Sequence, residues 1–164
     1  MNLKTIYRKG AIGALMDEYE RAAEELKNLV GNISETDFTK IVDAETKDDD
    51  CRSVQTIVSH VINSGYGYAN YIRQWYDIPQ NSPARRLYLQ TEFSNELKKM
   101  LIYSVETLQD KLELSDDEIM KVKIISHHGP TYDIEQMLEH AIVHILRHRR
   151  QIEKFISSKA VNLK

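Results

Sequence analysis

A chain of 164 residues, 41% hydrophobic and 29% charged, suits one globular domain with a sizeable core. Its net charge of −3 and pI of about 6.1 exclude nucleic-acid binding driven by overall charge, while leaving room for a small anion held by a few arginines. The single cysteine, Cys51, excludes an internal disulfide and fits a reducing cytoplasm, and no apolar run approaches the ~18 residues that cross a bilayer.

The N-terminal residues show no secretory pattern, so no signal peptide is expected. Ile12, Leu15, Met16, Tyr19, Ala22, Ala23, Leu26 and Val30 follow helical spacing and predict a first helix over residues 11–30, with Gly31 placed to end it in a left-handed conformation. Residues 32–52 are polar and acidic and too long for a bare loop; a short extended piece or helical turn is expected around Phe38–Val42. A second helix over residues 53–75, capped by Ser53, buries Val54, Ile57, Val58, Val61, Ile62, Tyr68, Tyr71, Ile72 and Trp75. Gly65 and Gly67 weaken its middle by up to ~1 kcal/mol each relative to alanine, and give either close helix approach or room for a ligand.

After the connection DIPQNSP, Ser82 caps a third helix with Pro83 at its first position. It is expected to reach Leu112 and to bury Leu89, Phe93, Leu97, Met100, Leu101, Ser104 and Leu108. A short helical turn follows at Ser115, and residues 121–132 read as extended structure and then a turn. The last helix runs over residues 134–157, with Asp133 and Gln136 forming a variant of the capping box. Four long amphipathic segments with almost no strand signal predict an all-α, single-domain four-helix bundle spanning residues 1–164.

The stretch HAIVHILRHRRQI places His140, His144 and His148 at intervals of four, along one stripe of a helix with ~3.6 residues per turn. The stripe lies within or beside the apolar face, where an imidazole needs a partner because burying an unpaired polar group is costly. Two readings stand open: a hydrogen-bonded structural cluster, or a metal site built from His144, His148 and a histidine on another helix. His60, in the middle of the second helix, is the natural third ligand, and three neutral imidazoles with an open position are the ligand count of a catalytic zinc site. Nickel, iron(II) and manganese suit the same donors. The chain lacks the H-E-x-x-H motif of zinc proteases, the paired Glu-x-x-His motifs of di-iron bundles and a glycine-rich phosphate loop. His127 and His128 read as loop surface. Cys51 lies just before the second helix, roughly 13 Å from His60 along the axis at ~1.5 Å per residue, and is not expected to complete the ligand set.

The segments SVQTIVSHVINS at residues 53–64, GPTYD at 129–133 and IEQMLEHAIVHILRHRRQI at 134–152 together resemble the DinB/YfiT-like family of metal-binding four-helix bundles. The last of them is similar to the family's His-x-x-x-His-Arg-Gly-Gln-Ile signature. The resemblance implies His60, His144 and His148 as metal ligands, with His140 in the pocket wall. Gln151 would orient a ligand, and Arg149 would pair between helices. Arg150 stands where the signature has glycine, so its side chain must point outward or line a wider groove.

The resemblance also implies an activity: transfer of a low-molecular-weight thiol to an electrophilic substrate at a divalent metal, or metal-dependent hydrolysis. A noncatalytic metal-binding or interaction bundle is the reading from a different class. A small molecule, rather than nucleic acid or membrane, is the expected partner, and a homodimer is allowed. Arg52, Arg73, Arg147 and Arg150 are candidate anchors for an anionic thiol; no carboxylate stands out as a general base.

Overall fold

The computed structural model describes residues 7–127 and 129–164. In chain order it holds α1 (Gly10–Gly31), α2 (Glu35–Thr39), a 3-10 turn (Asp49–Cys51), α3 (Val54–Trp75), α4 (Gln90–Leu108), α5 (Asp116–Lys121), β1 (Ile124–Ile125), β2 (Thr131–Tyr132) and α6 (Ile134–Ser157). The chain is mostly helical. Its four long helices pack in a closed order, α1 against α4 and α6, and α3 against the same two. Each contributes one apolar stripe to a common core, through residues such as Met16, Ile62, Leu97 and Ile145. Among the described residues no helix is long and apolar enough to cross a membrane.

The helices that carry histidines begin where their caps dictate. Ser53 Oγ accepts from the Thr56 amide at 3.1 Å while Thr56 Oγ1 accepts from the Ser53 amide at 3.0 Å. Asp133 Oδ1 accepts from the Gln136 amide at 2.8 Å while Gln136 Oε1 accepts from the Asp133 amide at 3.0 Å. Each reciprocal pair satisfies two amides at the helix start and so fixes the register of every residue downstream. β1 and β2 form the expected extended structure, a small antiparallel hairpin pairing Ile124 with Tyr132 and Ile125 with Thr131.

The third long helix departs from its expected bounds. It starts at Gln90 instead of Pro83 and ends at Leu108 instead of Leu112. Residues 82–89 bond to α3 side chains instead of coiling. Asn70 Nδ2 donates to Ser82 Oγ at 2.8 Å, Asn63 Nδ2 to Arg86 O at 3.1 Å and Gln55 Nε2 to Tyr88 O at 3.0 Å, while the Tyr88 amide donates to Ser59 Oγ at 2.9 Å. As the partners climb this segment they descend α3, so the segment runs back along that helix and forms a wall beside it. Tyr88 then fills the core, and Leu89 is 60% exposed.

Other departures are local. Gly31 stays helical, and Asn32 closes α1 at φ −88°, so no left-handed cap forms. The expected turn in the acidic linker is the helix α2, with Phe38 buried. Trp75 is largely exposed. The two α3 glycines have separate roles. A Cβ on Gly65 would lie 2.4 Å from Met100 Sδ, so Gly65 allows α3 and α4 to approach; a Cβ on Gly67 would meet nothing within 4 Å.

Candidate metal centre

α3 presents His60, and α6 presents His144 and His148, one turn apart on the same face. One ligand atom from each of the three lies within 4.8 Å of the others, and among the described residues the group contains no other member. His60 Nε2 and His144 Nε2 are 2.9 Å apart. His144 and His148 are buried, and His60 is half-buried at the mouth. A histidine of α3 and two of α6 thus converge and could hold a metal ion.

The outer partners decide which nitrogen of each ring is free. Asp50 Oδ2 lies 2.8 Å from His60 Nδ1; a carboxylate only accepts, so Nδ1 carries the proton and Nε2 keeps its lone pair. Gln151 Oε1 lies 3.1 Å from His148 Nδ1, which fixes the same tautomer there. His148 Nε2 is then buried without a hydrogen-bond partner among the described residues. An orphaned lone pair beside two other imidazole nitrogens fits a divalent cation, which would relieve the cost of burying it. In the metal-free molecule a proton on His144 Nε2 satisfies the short contact with His60.

Electrostatics favour the ligating forms. Burial, then the neighbouring His148 and His60, push His144 down to about 2. Burial and His60 push His148 down to about 4, against a hydrogen bond to Gln151 that favours its charged form. Both are neutral at physiological pH, the state that binds metals.

The turn that carries Asp50 was missed at the level of sequence, where Asp48, Asp49 and Asp50 read only as an acidic linker. Asp48 Oδ1 accepts from the Asp50 amide at 3.1 Å and so winds the turn that brings Asp50 onto His60. The signal available was a carboxylate just ahead of the Ser53 cap that begins the histidine helix. The same turn carries Cys51, which lies just ahead of α3 as expected. Gln151 Nε2 donates to Cys51 O at 3.5 Å, so Cys51 sits against the side chain that orients His148. Its thiol is pushed up by burial and donates to Asp48 Oδ2 at 3.4 Å, and it does not belong to the ligand group.

A cavity of about 590 Å³ opens beside His60 and His144, between α3 and α6, with the 82–85 segment and the β1–β2 hairpin as rims. His140 is in its wall, its ring packed on Tyr68 and Tyr132. His127 also lies on the rim, not on a bare loop surface, with its amide donating to Tyr71 Oη at 3.0 Å. His128 lies outside the described residues.

Of the four candidate arginine anchors only Arg147 reaches the cavity. Arg52 pairs with Asp49 at 2.7 Å, and Arg150 points into solvent. Arg73 is buried elsewhere, stacked 3.8 Å from the Tyr103 ring centroid, donating to Thr107 Oγ1 at 2.6 Å and to Pro79 O at 2.9 Å. Arg149 pairs with Glu25 of α1, as an inter-helix residue should.

No family model matches the chain, and no curated protein matches it.

Proposed function

We propose that the chain is a metal-dependent enzyme with a DinB/YfiT-like four-helix bundle, in which His60, His144 and His148 hold one divalent ion: zinc, nickel, iron(II) or manganese. The observation that carries this reading is the buried, unpartnered Nε2 of His148, next to two imidazoles whose own nitrogens converge on the same space. When bound, such an ion would lower the pKa of a coordinated thiol or water and so supply a nucleophile. Three neutral ligands leave its charge uncompensated, which favours an anionic thiolate; transfer of a low-molecular-weight thiol to an electrophilic small molecule is the reaction proposed.

The protein's own groups have definite tasks in that reaction. Asp50 and Gln151 hold two imidazoles with Nε2 turned to the centre. Tyr68, its ring centroid 5.6 Å from that of His144, is pushed up to about 12 by burial, so its Oη keeps a proton at neutral pH. That hydroxyl can donate to an oxygen on the substrate that gains charge during reaction.

Absorbance of thiolate in the ultraviolet tests the reading. Protein loaded with zinc and mixed with a small thiol should show the signal below the free thiol's pKa. Cys51→Ser should keep it and His148→Ala should abolish it. Turnover of esters or amides without any thiolate signal would replace transfer by hydrolysis, and neither behaviour with any of the four metals would favour a noncatalytic metal-binding bundle.

A further inference from the structure

Arginines in this molecule are mostly neutralised. Arg8 bonds Asp17 and Glu20, Arg21 bonds Glu18, Arg86 bonds Glu92, and Arg85, on the cavity rim, bonds Asp50 at 3.2 Å. Arg147 differs. It is an exposed residue that lines the cavity, and among the described residues it forms no ion pair. It lies three residues beyond His144 and seven beyond His140, on the stripe of α6 that faces α3. Its charge is felt at Tyr68, on the opposite wall.

The cavity around Arg147 has aromatic sides, supplied by Tyr68, Tyr71 and Tyr132. Its volume of about 590 Å³ falls in the range of small-molecule sites, ~300–1,000 Å³. Gly67 opens its floor, since a Cβ there meets no atom within 4 Å. An unpaired guanidinium beside these tyrosines calls for an anion, and, since the other lining arginine, Arg85, is paired with Asp50, one planar fork with no second unpaired arginine among the described lining residues matches a carboxylate better than a phosphate.

We propose that Arg147 anchors a carboxylate in this cavity, so that the small molecule acted on is an organic acid whose apolar body lies against the tyrosines and whose other end reaches the histidines. This rests on the reading of the histidine cavity as a small-molecule site, but not on the metal. Arg147 is a binding and specificity residue in this scheme, and no reacting group.

The test is a nuclear magnetic resonance titration of the metal-free protein with two probes of equal shape, 3-phenylpropanoate and its neutral amide. Without metal, nothing but the protein's own charges can prefer the acid. Wild type should bind the acid at least tenfold more tightly than the amide. Arg147→Gln should erase that preference while amide affinity stays within twofold, and Arg147→Lys should restore part of it. Gly67→Phe should block both probes. A separate zinc titration of each variant keeps the two readings apart: loss of zinc binding with the acid preference intact would overturn only the metal centre. Equal affinity for acid and amide, a preference that survives in Arg147→Gln, binding that Gly67→Phe leaves unchanged, or no saturable binding of either probe would each overturn the proposal.

Discussion

Asp50 holds His60 across ten residues of chain: its Oδ2 accepts from His60 Nδ1 at 2.8 Å, and the same oxygen accepts from Arg85 Nη2 at 3.2 Å. The carboxylate therefore sets the ring's tautomer and its rotation together, and ties the cavity rim to the histidine.

Removing that carboxylate should weaken metal binding without unfolding the protein, because Asp50 is part-exposed and outside the core. Asp50→Ala should cost ~10–100-fold in zinc affinity, the usual effect of losing an outer partner of a metal-binding histidine. Asp50→Asn should cost less, since an amide oxygen still accepts. Competition with a chromophoric chelator measures both. Wild-type affinity in the alanine variant would mean that His60 needs no orienting group.

The three-ligand assignment makes a sharper contrast on α6 itself. His144→Ala and His148→Ala should each lose most zinc affinity, while His140→Ala should change it by less than about threefold, because His140 packs on Tyr68 and Tyr132 instead of joining the group. Similar losses in all three variants, read by the same competition, would show that the ladder acts as a unit.

The histidines were legible because helical period alone puts residues four apart on one face, and because a capped helix preserves that register. Asp50 was not legible. Its position depends on a turn wound by Asp48, and an acidic run before a helix reads equally well as a solvated linker. The start of α4 was misread for a related reason. Ser82-Pro83 is a valid helix opening locally, but the backbone of 82–89 finds its partners in Gln55, Ser59, Asn63 and Asn70, residues of another helix that no local pattern can foresee. Gly65 and Gly67 look alike in sequence, and only the position of Met100 separates them.

Those two glycines should respond oppositely to the same change. Gly67→Ala adds a methyl to open space in a helix and should stabilise by up to ~1 kcal/mol. Gly65→Ala gains the same propensity but drives a methyl into the buried Met100 side chain, an overpacking cost of typically ~1–3 kcal/mol. Urea melts should therefore rank Gly67→Ala above wild type and Gly65→Ala at or below it. Equal stabilisation of both would mean that Met100 yields without cost.

Acid should unfold the metal-free protein through its own histidines. In the unfolded chain they titrate near ~6.5, whereas burial holds His148 down to about 4 and His144 to about 2 in the folded one. Above pH ~6.5 neither state takes up these protons and the pair contributes no slope. Below it the unfolded state binds protons that the folded state refuses, so stability falls as pH falls, by at most ~1.4 kcal/mol per pH unit for each histidine. The His148 contribution is exhausted near pH 4, while that of His144 continues below it. Urea melts in the presence of chelator, at pH 7.5 and at pH 5, isolate the effect. The wild-type midpoint should drop between the two, and a His144→Leu, His148→Leu double variant should drop clearly less, since every other titrating group remains. If both proteins lose the same stability, the two histidines accept protons in the folded state, and the site is open to water in a way that its burial does not allow.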